Sequence, residues 1–255
     1  MARLSENRSD STIDSRDVAR FDRLGQDWWN PHGAMRALHK FNPVRVAYLR
    51  DLLSRRMPKP EGGRQPSTPL EGLEILDIGC GGGILSEPLA AMGARMTSID
   101  PAPNNIEVAR RHAEKTGLSI EYICTTAESL AAEGRNFDAV LTMEVIEHVR
   151  DPKVFLRSAS SMLRPGGILV AATLNRTLKS FALAIVGAEY VLNWVPKGTH
   201  NWERFVTPAE LAAALRANHL HIVDETGVVY QALTDRWCLG RNMDVNYIMA
   251  AERRG

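Results

Sequence analysis

A short apolar segment followed at once by a cluster of glycines constrains this chain more than any other feature. Residues 73–78 have the apolar character of a buried strand, and residues 84–92 are compatible with a helix. Four glycines stand between them: Gly79, Gly81, Gly82 and Gly83. Glycine adopts backbone angles closed to other residues, and a helix N-terminus offers unpaired N–H groups. The stretch therefore predicts a strand–turn–helix site for a nucleotide-like cofactor, with Gly79 and Gly81 as contacts.

Strand and helix patterns alternate from the glycine run onward. The predicted strands are 73–78, 95–99, 119–124, 137–142, 168–173, 220–226 and 245–251. The predicted helices between the first five strands are 84–92, 104–116, 127–133 and 152–163. This alternation predicts an α/β fold with a mostly parallel sheet and helices on both faces.

The segments that flank this alternation differ in composition from it. Residues 1–17 are polar and are predicted to be a disordered tail, and residues 18–53 are predicted to form an N-terminal helical cap, with one helix beginning near Pro43. Residues 54–70 are rich in proline, glycine and serine and predict a linker. The main domain is then 71–255, with an insertion at 174–206 where the alternation breaks.

The overall composition limits the classes of function. The chain is 44% hydrophobic and 24% charged with a net charge of +1, so its total charge gives no sign of a nucleic-acid partner. The three cysteines, Cys80, Cys124 and Cys238, are odd in number and have no C-x-x-C spacing, which favours a reduced, cytoplasmic compartment. We expect neither a signal peptide nor a membrane-spanning helix.

Acidic residues near the ends of three successive predicted strands indicate which cofactor the glycine turn binds. Asp100 ends the second strand, where it can accept hydrogen bonds from both ribose hydroxyls, and Glu128 after the third strand suits an adenine amino group. A dinucleotide fingerprint requires glycine where Ile84 stands. Asp77 fits poorly beside a pyrophosphate but well beside an ammonium. These features favour S-adenosylmethionine over a nicotinamide cofactor.

Motifs across nearly the whole chain after residue 17 resemble those of a known enzyme family. The glycine run, Asp100 and Met143-Glu-Val-Ile-Glu-His-Val149 resemble the seven-stranded class I methyltransferases. Other motifs are similar to the ubiquinone-biosynthesis O-methyltransferases: Trp28-Trp29, Leu38-His-Lys-Phe-Asn-Pro-Val-Arg45, Thr173-Leu-Asn-Arg176, Val186-Gly-Ala-Glu-Tyr190, Val195-Pro-Lys-Gly-Thr-His200 and Asp244-Val-Asn-Tyr247. The chain departs from that family in its longer linker at 54–70.

The resemblance implies an S-adenosylmethionine-dependent O-methyltransferase that acts on polyprenylated phenols. Its substrates would be of the 2-polyprenyl-6-hydroxyphenol and 3-demethylubiquinol type. By the same resemblance, the positions that contact the cofactor are Arg45, Gly79, Asp100 and Met143. A guanidinium at Arg45 can pair with the cofactor carboxylate through two hydrogen bonds, and the alternative is a solvated charge on a helix.

Methylation of a phenol requires a phenolate, because the phenol itself has a pKa of about 10 and is a poor nucleophile. Glu144, Glu147 and His148 follow the fourth strand, and a helical turn there would place Glu144 and His148 on one face. His148 is therefore a candidate general base, with Glu144 beside it. Alternatively, all three side chains bind a divalent cation such as Mg²⁺, which would lower the pKa of the phenol. The sequence leaves both readings open, beside a third in which the three residues only form a solvent-facing helix start.

The insertion contains a mostly apolar segment, 180–196, flanked by basic residues. It is too short to span a bilayer, and its pattern fits either a buried helix or a helix that lies at a membrane surface. Because a polyprenylated substrate is nearly insoluble in water, the resemblance favours the second reading. We expect residues 174–206 to form a lid that contacts lipid, with the protein peripherally bound to the inner membrane from the cytoplasmic side.

Three rival functions remain at this stage. One is methyl transfer to another class of small molecule. A second is a non-catalytic cofactor-binding protein that assembles ubiquinone-biosynthesis enzymes into a complex, in which an active enzyme could also take part. A nucleic-acid methyltransferase is disfavoured, because the stretch after the fourth strand, 142–148, offers neither an Asn/Asp-Pro-Pro-Tyr-like turn nor a basic face.

Overall fold

The alternating segments form one central sheet. The computed structural model describes residues 11–59, 62–181, 201–231 and 233–254. In them the strands are β1 (Glu74–Ile78), β2 (Arg95–Asp100), β3 (Glu121–Cys124), β4 (Phe137–Met143), β5 (Leu163–Leu174), β6 (Leu220–Gln231), β7 (Arg236–Gly240) and β8 (Asn246–Arg253). Their order is β3-β2-β1-β4-β5-β8-β6-β7; β1 to β5 pair in parallel, whereas β8 is antiparallel to β5 and β6. The predicted α/β fold is confirmed, and β7 adds an eighth strand that the sequence did not predict.

Helices cover both faces of the sheet because neighbouring strand residues point to opposite sides. The helices are α1 (Ser15–Asp22), α2 (Arg36–Arg56), α3 (Ser86–Ala91), α4 (Pro103–Thr116), α5 (Ala127–Ala132), α6 (Pro152–Ser161), the single turn α7 (Leu178–Ser180) and α8 (Pro208–Ala217). Ile75 of β1 packs into a core with α2 and α3, whereas Leu76 packs into a second core with α5, α6 and α8.

The N-terminal segment differs from its prediction at both helices. Residues 11–17 are ordered, since α1 begins at Ser15 and Asp14 caps it by accepting a hydrogen bond from Arg16 N at 3.0 Å. The rest of the predicted tail, 1–10, lies outside the described residues. Helix α2 begins at Arg36 and carries Pro43 in its interior, whereas the sequence predicted that proline in the first turn. It also continues to Arg56, so the predicted linker begins inside a helix.

The insertion is described only at its two ends, 174–181 and 201–206, so the predicted interfacial segment 180–196 lies almost wholly outside the described residues. Among the helices that are described, none is long and apolar enough to cross a membrane.

Candidate active site

The carboxyl ends of the parallel strands meet at one edge of the sheet, where a cavity of about 560 Å³ opens. From β1 the sheet extends through β2 and β3 on one side and through β4 and β5 on the other. The strand order therefore reverses between β1 and β4, which makes this position a topological switch point. Crevices in α/β sheets form at such switch points. The cavity brings together most of the residues predicted for the site: Arg45, Asp77, Gly79, Asp100, Glu128, Met143, Glu144, Glu147 and His148.

The glycine turn requires glycine for two separate reasons. Gly79 and Gly81 have φ angles of 73° and 54°, which side chains rarely permit. A Cβ atom on Gly79 would also lie 2.5 Å from Val145 Cγ2, and one on Gly81 would lie 2.4 Å from Trp28 Cη2. Gly79 lines the cavity, where a contact with the cofactor stays a prediction. Gly81 is instead covered by the Trp28 ring.

Asp100 is held in place by three hydrogen bonds at the end of β2. Its Oδ2 accepts from Gly81 N at 3.0 Å, and its Oδ1 accepts from Ala102 N at 2.8 Å and Asn105 Nδ2 at 3.1 Å. Trp28 Nε1 in turn donates to Asn105 Oδ1 at 2.7 Å. Burial raises the pKa of Asp100, although these hydrogen bonds partly oppose the change. The N-terminal cap therefore orients, through Asn105, the acid predicted to bind ribose.

Asp77 is a buried carboxyl at the end of β1. Ser86 Oγ donates to Asp77 Oδ2 at 2.6 Å, and Ser98 Oγ donates to Ser86 Oγ at 3.0 Å. Burial raises the pKa of Asp77 to about 6, while the Ser86 hydrogen bond and the charge of Arg45 lower it. A cation bound beside Asp77 would favour the ionised form in the same way. Its predicted contact with an ammonium fits this environment.

Arg45 is buried, which argues against a solvated helix charge. Its Nη2 donates to Asn42 Oδ1 at 2.8 Å, and Asn42 Nδ2 donates to the carbonyl of Ile84 at 2.8 Å. Among the described residues Arg45 Nε finds no acceptor. Burial lowers the pKa of Arg45, against the charges of Glu144 and Asp77. A buried guanidinium with an unsatisfied donor fits the carboxylate of an amino-acid-bearing cofactor.

Glu128 has a partner in the segment that was predicted to be disordered. Thr12 Oγ1 donates to Glu128 Oε1 at 2.6 Å. Ile13 forms a β-bridge with Val149, and Arg150 N donates to the Thr12 carbonyl at 2.7 Å. These contacts lie more than a hundred positions apart in the chain, so local composition could not reveal them. The N-terminal segment is therefore a wall of the cavity.

The stretch after β4 does not form a helical turn that includes Glu144. Glu144 has a φ of 62°, and only Ile146–His148 forms a turn of 3₁₀ helix. Thr173 Oγ1 donates to the buried Glu147 Oε2 at 2.8 Å. Burial, followed by the charge of Glu144, raises the pKa of Glu147 well above its ordinary value. The left-handed residue interrupts the helix and ends the predicted alignment of Glu144 with His148.

His148 turns toward the N-terminal helix. Its Nδ1 lies 3.2 Å from Asp17 Oδ2, and the Phe21 ring meets the imidazole edge-on with centroids 5.1 Å apart. In the described part of the chain, no three His, Cys, Asp or Glu side chains form a group that could hold a metal ion. The three predicted ligands do not form such a group in the described residues, and the cation site stays a prediction. Glu144 and Glu147 remain as a carboxylate pair that could bind a cation together with oxygens of a substrate.

Aromatic side chains extend the cavity beyond the charged residues. The Arg45 guanidinium lies 5.1 Å from the centre of the Phe41 ring, and the Phe41 and Trp237 rings are 5.1 Å apart. Tyr230 lies 5.3 Å from Trp237 across the β6–β7 hairpin. Trp237 Nε1 is buried and finds no acceptor among the described residues.

Sequence reasoning missed three residues at this site: Asp17, Asn105 and Trp237. Asn105 left a signal, because it stands in the first turn of a helix that follows Asp100 directly. The sequence signal for Trp237 is only a short aromatic alternation with Tyr230. No sequence signal indicates Asp17. Sequence separation hid both, since their partners belong to distant segments.

A mostly parallel sheet in which β8 runs antiparallel between β5 and β6, with a glycine turn after β1 and an acid at the end of β2, is the fold of the class I S-adenosylmethionine-dependent methyltransferases. A family model described as a methyltransferase domain matches residues 76–171. The fold is similar to that of magnesium protoporphyrin IX methyltransferase from Synechocystis, crystallised with bound S-adenosylhomocysteine. That match has a TM-score of 0.63 and 19% identity, and it covers 94% of this chain and 95% of the other.

Two close relatives identify the branch of this class. A ubiquinone biosynthesis O-methyltransferase of Methylocella silvestris is 61% identical over 252 residues, which covers 98% of each chain. One of Methylobacterium sp. strain 4-46 is 55% identical and covers 95% of this chain and 96% of the relative. The chain belongs to the ubiquinone biosynthesis O-methyltransferase family.

Proposed function

We propose that this chain methylates a phenolic hydroxyl of polyprenylated intermediates of ubiquinone biosynthesis, with S-adenosylmethionine as the methyl donor. The proposed acceptors are of the 2-polyprenyl-6-hydroxyphenol and 3-demethylubiquinol type. The observation that carries the proposal is one continuous cavity with two kinds of lining. Arg45 and Asp77 suit an amino-acid-bearing cofactor, and the aromatic rings of Phe41 and Trp237 suit a prenylated ring.

The charged part of the cavity contains a residue for each polar group of the cofactor. Arg45 pairs with its carboxylate, Asp77 binds its ammonium, and Asp100 accepts hydrogen bonds from its ribose hydroxyls. Glu128 binds the adenine amino group, and Met143 and Gly79 contact the cofactor at the ends of β4 and β1. When bound, the cofactor supplies an electrophilic methyl group on a sulfonium.

His148 acts as the general base in this proposal. It accepts the phenolic proton while the oxygen forms a bond to the methyl carbon, and the carbon–sulfur bond breaks with its electron pair left on sulfur. Glu144, the second catalytic candidate, lines the same cavity. A Mg²⁺ held by Glu144 and Glu147 would supply an alternative, by lowering the pKa of the phenol and binding adjacent catechol oxygens.

Turnover of a short-chain catechol tests the proposal directly. We expect His148→Ala to lower kcat by about 100-fold or more, because a positioned general base contributes about 10²- to 10⁴-fold. Its affinity for S-adenosylmethionine, measured by calorimetry, should remain unchanged. The wild type should keep its activity in the presence of a chelator.

Each other outcome favours a different rival. Loss of activity with chelator, together with an active His148→Ala variant, would assign the chemistry to a cation at the carboxylate pair. If the wild type does not turn over the catechol with or without Mg²⁺, but binds the cofactor, a non-catalytic assembly role would be favoured.

The proposal also includes a location. The insertion 174–206 would act as a lid that contacts lipid, so that the enzyme binds peripherally to the inner membrane from the cytoplasmic side and collects its substrate there. Exposed apolar side chains at the described start of the insertion, Leu178 and Phe181, support a lipid contact. Membership in a complex of ubiquinone-biosynthesis enzymes is part of the same proposal.

A further inference from the structure

Three aromatic side chains form a row from the cofactor end of the cavity to the β6–β7 hairpin. This aromatic row consists of Phe41, Trp237 and Tyr230. The Phe41 and Trp237 rings are 5.1 Å apart, and the Trp237 and Tyr230 rings are 5.3 Å apart. Tyr230 and Trp237 are paired across the hairpin, so their side chains project from the same face of it. All three residues line the cavity.

The inner end of the aromatic row meets the residue assigned to the cofactor carboxylate. Phe41 and Arg45 stand four residues apart on α2, so both side chains lie on one face of that helix. The Arg45 guanidinium is 5.1 Å from the centre of the Phe41 ring. The aromatic row therefore begins where the methionine part of the cofactor would end.

Exposure to solvent increases along the aromatic row. Arg45 and Phe41 at the inner end are only 3% and 7% exposed. Trp237 and Tyr230 are half-buried. Val229, the neighbour of Tyr230, also lines the cavity and is 39% exposed. The cavity thus reaches the outer surface at the hairpin.

The hairpin is attached to α2 beside the aromatic row. Tyr230 donates a hydrogen bond from its hydroxyl to Asp235 Oδ1 at 2.6 Å. Lys40, which precedes Phe41 in α2, donates from Nζ to Asp235 Oδ2 at 2.6 Å. One carboxylate therefore connects the outermost ring of the row with the helix that carries the innermost ring, which keeps the three rings in line.

The chemistry of this wall suits a hydrocarbon chain. A prenyl tail has no polar atom, so its affinity for a protein comes from removing its apolar surface from water. Aromatic rings present large apolar surfaces for such contacts. A head group at the inner end, beside the cofactor, would leave its tail directed along the aromatic row.

We propose that the prenyl tail of the acceptor lies along the aromatic row and leaves the cavity at Val229 of the β6–β7 hairpin. The hairpin then selects prenylated acceptors over bare catechols, and its outer end hands the rest of a long tail to the surface of the protein. This inference rests on the proposed function and adds where the tail of the acceptor binds.

The test measures how much a longer tail improves turnover. The acceptors are catechols that carry one or three isoprene units, assayed without lipid or detergent at saturating S-adenosylmethionine. In the wild type we expect kcat/KM to be about 10-fold or more higher for the longer acceptor, because each buried methylene adds affinity. The gain should appear in KM, with a similar kcat for both acceptors, because tail burial is the same before and during methyl transfer.

Two variants remove the proposed tail contact in different ways. Trp237→Ala removes the middle ring of the aromatic row, and Val229→Asp places a charge where the cavity opens. We expect each to reduce the preference for the longer acceptor to less than about 3-fold. Leu239→Asp is the matched control, because Leu239 lies on the same hairpin, is 45% exposed and is not among the described residues that line the cavity. It should keep the wild-type preference.

The ratio of the two acceptors separates tail binding from structural damage. A misfolded fraction lowers the rate for both acceptors equally and leaves their ratio unchanged, and melting temperatures report the folding of each variant. If Trp237→Ala does not fold, Val229→Asp still decides the question. A wild-type preference retained in the folded variants would refute the tail path while the proposed function stands.

Two further outcomes would also overturn the inference. Loss of the preference in Leu178→Asp but not in Val229→Asp would assign the tail to the start of the insertion. If the wild type methylates neither acceptor, the proposed function fails and the tail path fails with it. Equal kcat/KM for both acceptors in an active wild type would contradict only the tail path.

Discussion

Burial gives Asp77 a pKa of about 6, so its ionisation is coupled to cofactor binding near neutral pH. An ammonium beside Asp77 binds to the carboxylate and not to the neutral acid. We therefore expect the affinity for S-adenosylmethionine to rise by about 10-fold between pH 5 and pH 7. Isothermal titration between pH 5 and pH 7 measures this change in affinity. The α-amino group of the cofactor has a pKa near 8, so it stays mostly protonated over this range and does not cause the change.

Two substitutions serve as controls for this prediction. Asp77→Asn should remove the pH dependence. It should also stabilise the cofactor-free protein above pH 6, because a carboxyl whose pKa is raised by folding costs stability once it ionises. The rise in the pKa of Asp77 on folding corresponds to a loss of roughly 2 to 3 kcal/mol in the free energy of unfolding above pH 6. This loss disappears below about pH 4, where Asp77 is protonated in both the folded and the unfolded state. Ser86→Ala removes a hydrogen bond to the carboxylate and should move the inflection to higher pH. A pH-independent affinity in the wild type would contradict the coupling.

The sequence could predict the site residues that lie next to strand ends. It could not predict the site residues that come from distant segments of the chain. Asp77 and Asp100 line the cavity as expected, because parallel strands end at a common edge. A helical turn after β4 would have aligned Glu144 with His148, but Glu144 adopts a left-handed φ that no sequence pattern indicated. Asp17 could not be found, because its contact with His148 arises only when α1 folds over the sheet.

At the scale of elements, the N-terminal cap is part of the cofactor site. Trp28 and Trp29 both contact the glycine turn or its neighbours: Trp28 Nε1 donates to Asn105 at 2.7 Å and Trp29 Nε1 to the Gly82 carbonyl at 2.8 Å. Only the bond from Trp28 leads on to Asp100, through Asn105. The pair therefore offers a matched test of how the cap supports binding.

We expect Trp28→Phe to weaken binding of S-adenosylmethionine by about 3- to 10-fold, the range given by the loss of one buried hydrogen bond. Trp29→Phe removes an equivalent bond and should leave the affinity within about 2-fold of the wild type. Calorimetric titration of both variants, with melting temperatures as a check on folding, makes the comparison. Equal weakening in both variants would mean that the cap acts only by covering the glycine turn.

The elements that sequence patterns missed are those stabilised mainly by distant contacts. Four of the five strands up to β5 are mostly buried, which made them predictable, although β3 buries only Tyr122. β7 is a five-residue edge strand with no fully buried residue, so it lacks this burial. The helical cap was predicted only from residue 18, so the start of α1 at Ser15 was missed. α1 buries none of its residues, and Asp14 and Asp17 are held by Arg204 and His148 from far along the chain.

At the scale of the whole molecule, the cavity is bounded by several separate parts of the chain. They include the N-terminal cap, the strand ends, the β6–β7 hairpin and the start of the insertion. The last two also expose apolar side chains: Leu178 is 83% exposed, and Leu233 at the hairpin tip is fully exposed. Exposed leucines on two segments that border one cavity are typical of a surface that meets lipid or another apolar partner.

Sedimentation with vesicles of phosphatidylethanolamine and phosphatidylglycerol tests the lipid contact. We expect the wild type to pellet with the vesicles, and Leu178→Ser and Leu233→Ser each to reduce the bound fraction by about 3-fold, since each removes part of a leucine's burial in lipid. A variant that lacks 176–196 should bind least. Turnover of a soluble catechol by the point variants controls for folding, because both side chains lie in solvent and their loss should not alter it. Equal pelleting of the wild type and the deletion variant would refute the membrane contact while leaving the methyltransferase activity in place.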